Sequence, residues 1–244
     1  MVARVASQAS PSLTLPLLPS PARGPPPPPK DEPPPWHNAT GMRRIQMEFQ
    51  HLARALAAPS PKGTLPLCAD LELPDESDLR TGRFQLRDFD PDLPGGAALN
   101  ADLARLKREH GCDHLLCEAN FPPDYPSRPF LLRLVYPRCC WYTGHVTAGG
   151  SICVEALTQT GSANAWRPDY CLSGLLPLVK QNLVDVDEVM VRTASGPGGR
   201  AGPLRIDFAR QWHTSARTPL VPYSLQEAQA AFSRSEAHHR ANGW

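Results

Sequence analysis

The interpretation of this chain starts from one segment, Gly144-His145-Val146-Thr147-Ala148-Gly149-Gly150-Ser151-Ile152-Cys153. Two adjacent glycines and a serine precede the cysteine, and glycine adopts a positive φ at low cost because it has no Cβ atom. The pattern predicts an irregular turn that presents Cys153 outside any regular strand or helix, where an exposed, reactive thiol would be placed. The alternative is a small buried side chain, since unpaired cysteine is among the most buried residue types.

Length and composition limit the possible classes of protein. The chain has 244 residues, which is enough for one sizeable domain or two small ones. Its net charge is +1. With so small a charge, we expect neither nucleic acid nor an anionic membrane as a partner. The odd number of cysteines, seven, and the lack of an apolar core in the first thirty residues predict reduced thiols rather than a disulfide framework.

Residues 1–38 are predicted to be a disordered, proline-rich tail. Pro25 to Pro29 and Pro33 to Pro35 favour extended polyproline II, because proline fixes φ and has no amide donor. The tail is either an entropic spacer or a ligand for a proline-binding domain. We expect the protein in the cytoplasm or nucleus. An organelle transit peptide is the alternative, because the first thirty residues contain basic residues but no acidic one.

The first predicted helix spans Thr40 to Leu56. One apolar stripe recurs at spacings of three and four residues, formed by Met42, Ile45, Phe49, Leu52, Ala53 and Leu56. The charged side chains outside this stripe are Arg43, Arg44, Glu48 and Arg54. This basic face either contacts a partner protein or is simply solvated.

Short strands are predicted in the middle of the chain. They cover Leu71 to Leu73, Phe84 to Phe89, Asp113 to Phe121 and Phe130 to Tyr136. Residues 90–97 are expected to be a loop, and Leu99 to Glu109 one or two helical turns. The prolines between Pro122 and Pro129 predict a stiff, extended connection between the last two strands.

Two helices are predicted in the C-terminal third of the chain. One runs from about Tyr170 to Val184, with Pro177 expected to kink it or delay its start. After a glycine-rich linker over residues 195–203, the last helix runs from Ser224 to His239. Ser224 and Glu227 match a capping box, in which each side chain accepts from the other residue's backbone amide. The element order predicts an α+β domain with one sheet.

Taken in order, these motifs resemble the ubiquitin-conjugating enzymes, and most closely their Q branch. The resemblance rests on the order Phe121-Pro122, Tyr125-Pro126, Pro129, the Gly150-Ser151-Ile152-Cys153 motif, Leu157, Trp166, Pro168 and the terminal Ala-Asn-Gly-Trp244. It implies an N-terminal helix, an antiparallel meander sheet, a cysteine loop and C-terminal helices, with a catalytic core over residues 39–244. The chain departs from the pattern in four places: Thr143-Gly144-His145 in place of the usual His-Pro-Asn, a longer loop from Cys153 to Trp166, a single Pro129, and Pro177 inside a helix.

The resemblance also implies a chemistry. Cys153 would accept ubiquitin as a thioester from an activating enzyme and pass it to an amine on a substrate protein, together with a ubiquitin ligase. No cofactor is expected, because the activating enzyme consumes the ATP upstream. No Lys, Arg or His is adjacent to Cys153 in sequence, which suits transthiolation better than self-sufficient hydrolysis.

Further residues are candidates by the same resemblance. Most of these enzymes carry His-Pro-Asn before the cysteine, and here Thr143-Gly144-His145 places His145 at the Asn position. His145 would hold the cysteine loop or donate to the oxyanion. Glu155 would orient the acceptor amine, or else be a solvated strand residue. Trp166 and Pro168 would form part of the loop that meets a ubiquitin ligase, although Trp166 would also pack beneath its loop. Arg43 and Arg44 are candidates for partner contacts on a different ground, the basic face of the first predicted helix.

Three alternatives remain open. The chain could be a catalytically inactive binding module, but such relatives usually lack the cysteine. A metal site formed by Cys139, Cys140, His145 and Cys153 is disfavoured, because adjacent cysteines rarely bind one zinc ion tetrahedrally. A Cys–His hydrolase is conceivable, although the sequence does not identify the third, orienting residue.

Overall fold

The computed structural model describes residues 39–58, 66–75, 77–141, 143–185, 202–209 and 218–242. The predicted tail over residues 1–38, most of the predicted linker and the terminal Trp244 lie outside these ranges. Within these ranges the α-helices and strands follow in chain order: α1 (Ala39–Ala57), β1 (Ala69–Glu72), β2 (Thr81–Leu86), α2 (Pro94–His110), β3 (Leu115–Asn120), β4 (Leu131–Tyr136), α3 (Leu172–Val184) and α4 (Leu225–Asn242). No helix of the described ranges is long and apolar enough to cross a membrane.

The sheet is an antiparallel meander in the order β1-β2-β3-β4, which confirms the predicted α+β class. In β2, Gly82, Phe84 and Leu86 are buried and alternate with half-buried neighbours. The predicted strand from Phe84 to Phe89 is wrong at both ends, because β2 begins at Thr81 and ends at Leu86. Asp88 then adopts a φ of 56°, so Asp88 is exposed and Phe89 is buried with the core side chains.

Helix α1 agrees with the prediction to within one residue at each end. Ile45, Phe49 and Leu52 bury the predicted stripe against the core, whereas Ala53 is exposed. The placement of Glu48 on the outer face is wrong, since its side chain is only 1% exposed. The buried carboxylate accepts hydrogen bonds from the Tyr125 hydroxyl at 2.7 Å and from the Leu172 amide at 2.8 Å. These bonds replace the water that a buried carboxylate loses.

Helix α2 is longer than expected, because it begins at Pro94 inside the predicted loop. Proline suits the first turn, where its missing amide hydrogen would have no helical partner and its φ is already helical. Gly111 ends the helix with a φ of 74°, and its amide donates to the Lys107 carbonyl at 2.9 Å. Leu99, Leu103 and Leu106 are buried along one face.

The proline-rich connection between β3 and β4 is turned rather than extended. The Tyr125 amide donates to the Pro122 carbonyl at 3.0 Å, and the Ser127 amide donates to the Asp124 carbonyl at 2.8 Å. The turn brings Tyr125, which is 1% exposed, against Phe121 and Phe130. Burial of these rings outweighs the extended preference of the prolines.

The two C-terminal helices confirm most of the predictions made for them. Helix α3 begins at Leu172 and continues through Pro177, whose side chain is exposed. The capping box of α4 is present: the Ser224 amide donates to Glu227 Oε2 at 2.7 Å, and the Glu227 amide donates to Ser224 Oγ at 3.1 Å. Helix α4 extends to Asn242, beyond its predicted end.

Candidate active site

The cysteine loop is a turn that returns alongside β4. The Gly150 amide donates to the Thr147 carbonyl at 2.9 Å, and Gly150 has a φ of 86°. The Ile152 amide then donates to the Leu132 carbonyl of β4 at 2.9 Å. Cys153 follows this short pairing and lies outside any helix or strand, as the glycine pattern predicted. Its side chain is half-buried rather than exposed, because α4 packs beside it.

The two glycines of the loop are also needed for packing against the C-terminal segment. A Cβ atom on Gly149 would lie 2.2 Å from the Glu227 carbonyl oxygen of α4. A Cβ atom on Gly150 would lie 2.5 Å from the Tyr223 ring. The loop and the start of α4 are therefore in close backbone contact, which fixes where the helix crosses the cysteine.

Helix α4 brings a serine and a histidine to the thiol. Cys153 Sγ lies 3.1 Å from Ser235 Oγ and 3.3 Å from His239 Nε2. The third side of this triangle, from Ser235 Oγ to His239 Nε2, measures 3.2 Å. Sequence reasoning missed both residues because they follow Cys153 by 82 and 86 positions. Ser235 and His239 are four residues apart, which places them on one face of the last predicted helix. This spacing was the sequence signal that they could act together.

Burial sets the protonation of the thiol and of the imidazole. It raises the pKa of the Cys153 thiol, and the hydrogen bond from Ser235 only partly offsets this effect. Burial also lowers the pKa of His239, and the nearby His238 and His145 lower it further. At neutral pH the pair is therefore a neutral thiol beside a neutral imidazole, rather than a thiolate–imidazolium ion pair.

His145 contacts the cysteine through its main chain. Its carbonyl accepts a hydrogen bond from the Cys153 amide at 2.8 Å. His145 has a φ of 55° and follows Gly144, whose φ is 57°. Its imidazole is close enough to His239 to lower the pKa of that side chain. His145 thus lies in the candidate site, and its backbone helps to hold the cysteine loop.

Glu155 begins a 3-10 turn, Glu155–Leu157, rather than lying in a strand. Its carboxylate accepts hydrogen bonds from Ser162 Oγ and, at 3.2 Å, from Asn164 Nδ2. Glu155 also lines a cavity of about 10 Å³ together with Cys153 and His239. The residue is therefore near the thiol, with both of its oxygens engaged by the following loop.

Trp166 packs beneath its loop. Its Nε1 donates to the Pro126 carbonyl at 2.8 Å, and its ring contacts Phe130 and Tyr170. Pro168 is exposed on the same loop. On α1, Arg43 is exposed, whereas Arg44 donates to Glu48 Oε1 at 2.8 Å and to the Tyr170 carbonyl at 2.9 Å. Arg44 is thus half-buried and joins α1 to the tryptophan loop, whereas Arg43 lies on the exposed face of the helix.

The proposed cysteine–histidine metal set has no geometric support. Within the described ranges, no group of three or more His, Cys, Asp or Glu residues is placed to hold a metal ion. Cys139 is 1% exposed and its thiol lies 3.5 Å from the Pro137 carbonyl. All seven cysteines are thiols in the structure.

Comparison with known proteins agrees with the resemblance. No family model matches the chain. It is 31% identical over 173 residues to ubiquitin-conjugating enzyme E2 25 of Caenorhabditis elegans, covering 71% of this chain and 36% of that protein. It is 28% identical over 148 residues to human ubiquitin-conjugating enzyme E2 Q1, covering 61% of this chain and 28% of that protein. Human ubiquitin-conjugating enzyme E2 G1, a solved structure, is similar over 59% of this chain and 96% of that one, with a TM-score of 0.40 and 19% identity.

The class that these relatives define is that of the ubiquitin-conjugating enzymes. Within it, the chain resembles the Q branch, which includes a shorter human relative, the ubiquitin-conjugating enzyme Q-like protein 1. That protein is 26% identical over 137 residues, covering 56% of this chain and 68% of its own length. The chain spans about a third of the length of the first curated relatives that it matches.

Proposed function

We propose that this protein is a ubiquitin-conjugating enzyme that carries ubiquitin on Cys153 as a thioester and transfers it to an amine of a substrate protein. The observation that supports this most is the position of the thiol. Cys153 leaves a tight glycine turn, outside any strand or helix, and its Sγ lies within 3.3 Å of two polar side chains. The curated relatives support the same family of reactions.

Two acyl transfers would occur at the same sulfur atom. In charging, Sγ attacks the carbonyl carbon of the activating enzyme's ubiquitin thioester, and that enzyme's thiol leaves. The proton of the Cys153 thiol is within reach of His239 Nε2 at 3.3 Å. In discharge, an amine nitrogen attacks the new thioester, a C–N bond forms, the C–S bond breaks, and the proton lost by the amine ends on the Cys153 sulfur as the thiol is regenerated. Because burial raises its pKa, the thiol is a weak nucleophile at rest, and the activated donor supplies much of the driving force.

A ligase surface is part of the proposal. Arg43 on α1 and Pro168 on the tryptophan loop are exposed. The Arg44 guanidinium joins α1 to this loop by donating to the Tyr170 carbonyl at 2.9 Å. This bond holds α1 and the tryptophan loop as one face, which could bind one partner. Trp166 then acts by supporting the loop from below.

We propose the cytoplasm or nucleus as the location of the protein.

A charging assay tests the proposed function. The full chain is incubated with activating enzyme, ATP and ubiquitin, and the products are run on gels with and without reductant. We expect an adduct that reductant removes, present in the parent and absent in Cys153→Ala. Cys140→Ala and Cys171→Ala are matched controls, because these thiols are also half-buried and should leave charging intact. An adduct that persists in Cys153→Ala would overturn the proposal.

A thiol hydrolase is the second candidate, favoured by the 3.3 Å approach of His239 Nε2 to Cys153 Sγ. A hydrolase would cleave a fluorogenic ubiquitin amide without activating enzyme or ATP. The conjugating function predicts no such cleavage. A catalytically inactive binding module would neither cleave this substrate nor form the reductant-sensitive adduct.

A further inference from the structure

Ser235 lies where it can act directly on the reactive sulfur atom. Its Oγ is 3.1 Å from Cys153 Sγ and 3.2 Å from His239 Nε2, so one hydroxyl contacts both groups. Neither the sequence motifs nor the proposed mechanism gives this residue a role. A hydroxyl is both a donor and an acceptor, which lets it follow a change of charge on the sulfur.

The position of Ser235 is fixed by the first half of α4. Ala228 and Ala231 are buried, and a Cβ atom on Gly149 would lie 2.8 Å from Ala231 Cβ. Glu227 accepts from Arg138 Nη2 at 3.2 Å, which ties the start of the helix to the segment after β4. The hydroxyl is thus presented by a rigid helix that is packed on the cysteine loop.

The ionisable groups around Cys153 do not favour a thiolate. Glu236, on α4, disfavours negative charge on the sulfur. Glu155 lines the same small cavity as Cys153, and its negative charge has the same sign as the thiolate. The cationic candidates are His239, His238 and His145, but His239 has a lowered pKa because of burial and its two histidine neighbours. A neutral donor is therefore better suited to this site than a charged counter-ion.

We propose that Ser235 is a catalytic residue of this site: its hydroxyl donates a hydrogen bond to Cys153 Sγ whenever the sulfur carries negative charge. The inference rests on the proposed function, in which Cys153 is the nucleophile in charging and the leaving group in discharge. In the resting thiol, the proton is on Sγ. When it moves to His239 Nε2, the Ser235 hydroxyl rotates to donate to the thiolate, and no covalent bond to Ser235 forms or breaks.

The reactivity of the thiol towards iodoacetamide tests this role without ubiquitin. The rate of alkylation of the Cys153 peptide is followed by mass spectrometry from pH 7 to pH 10, using the full chain. Only the thiolate reacts. Loss of one hydrogen bond to a charged group corresponds to about one pKa unit. We expect Ser235→Ala to react about tenfold more slowly at pH 8 and Ser235→Thr, which keeps the hydroxyl, to stay within about threefold of the parent.

Whether Ser235→Ala slows or speeds alkylation of Cys153 shows whether Ser235 donates a hydrogen bond to the thiolate or only shields the thiol sterically. Alanine is smaller than serine, so a role in covering the thiol predicts faster alkylation of Ser235→Ala. A rate equal to or above that of the parent overturns the proposal. Ser173→Ala is the matched control, because Ser173 Oγ lies 3.6 Å from the Cys171 thiol in a second thiol–hydroxyl pair. It should leave the Cys153 peptide unchanged.

The charging assay keeps the two proposals separate. If Ser235→Ala slows alkylation but the parent never forms a ubiquitin thioester, the proposed function fails and the donor role stands. If the parent charges but Ser235→Ala alkylates at the parent rate, the donor role fails alone.

Discussion

At the scale of single residues, the candidate site combines a backbone contact with side-chain contacts to the cysteine. The His145 carbonyl accepts from the Cys153 amide, so this bond does not depend on the imidazole. Ser235 and His239 contact the sulfur through their side chains. Substitution of His145 therefore tests its side chain alone, and any effect on loop geometry should be small.

We predict that the His145 side chain donates to the oxyanion formed during transfer. His145→Ala should then slow single-turnover discharge to free lysine by about 10²–10³, the cost of losing one oxyanion donor. The melting temperature should change little, because the backbone bond to Cys153 is retained. His145→Asn should recover much of the rate, since an amide also donates and asparagine tolerates the positive φ of 55°.

Discharge by His145→Ala at the parent rate would show that the imidazole has no catalytic role. The oxyanion donor would then have to be a group other than the imidazole and the Gly150 amide, which already donates to the Thr147 carbonyl at 2.9 Å. If His145→Asn discharges ubiquitin slowly while its melting temperature is unchanged, an asparagine amide cannot replace the imidazole as the oxyanion donor.

At the scale of elements, α4 covers the thiol. The cavity that Cys153 shares with Glu155 and His239 has a volume of only about 10 Å³, too small for the end of a peptide chain. The first half of α4 is fixed by its capping box and by Arg138. The second half contacts the site through Ser235 and His239, and through Glu236, which accepts from the Gln159 amide at 2.8 Å.

We predict that Glu227→Ala exposes Cys153. The substitution removes one side of the capping box and the carboxylate partner of Arg138, whose side chain is only 4% exposed. A loss of about 1–2 kcal/mol of stability is expected. The melting temperature should fall by several degrees. Iodoacetamide alkylation of Cys153 at pH 8 should become faster, because a loosened helix covers the thiol for less of the time.

Gln226→Ala is the control for this experiment, since Gln226 is the exposed preceding residue of the same helix. It should change neither quantity. A lower melting temperature with unchanged alkylation in Glu227→Ala would mean that the N-terminal contacts of α4 do not govern access to the cysteine.

At the scale of the whole molecule, one buried carboxylate joins three strands to the C-terminal segment. Glu118 on β3 accepts from Arg83 Nε on β2 at 2.8 Å and from Arg133 Nη2 on β4 at 2.6 Å. Arg133 also donates to the Tyr223 carbonyl at 2.8 Å, just before α4. Burial by itself would raise the pKa of Glu118, but the hydrogen bonds from Asn120, Arg83 and Arg133 and the positive charge of Arg133 hold it below the usual value of 4.5.

This network predicts a loss of stability in acid. Because the pKa of Glu118 is lower in the folded protein, the unfolded chain takes up the proton first as the pH falls. The contribution of Glu118 is complete above about pH 4.5 and is lost as the pH falls through its folded pKa. Glu118→Gln should cost roughly 3 kcal/mol at pH 7 by leaving Arg133 buried without its charged partner. Its stability should then depend less steeply on pH below 4.5 than that of the parent.

Urea denaturation at pH 7 and at several pH values between 3 and 5 measures both effects. Glu109→Gln is the matched control, because Glu109 also pairs with an arginine, Arg105, but on the exposed face of α2. It should have no measurable effect at pH 7. Parallel pH curves for the parent and Glu118→Gln would contradict the prediction.

The sequence by itself determined the features that depend on neighbouring residues. The period of α1, the Ser224–Glu227 capping box and the glycine turn before Cys153 involve residues within a few positions of one another. Backbone preference and local hydrogen bonds decide such features. The curated relatives confirm the resemblance that the same motifs suggested.

Only the tertiary structure decided how the site is assembled. Ser235 and His239 reach Cys153 across 82 and 86 positions, because α4 packs on the cysteine loop. Glu48 is buried, although its place in the helical pattern predicted exposure, because Tyr125 and the Leu172 amide donate to its carboxylate. Such contacts depend on packing between elements that are distant in sequence. Packing buries an ionisable side chain, which shifts its pKa, and brings it hydrogen-bond partners that no local sequence pattern contains.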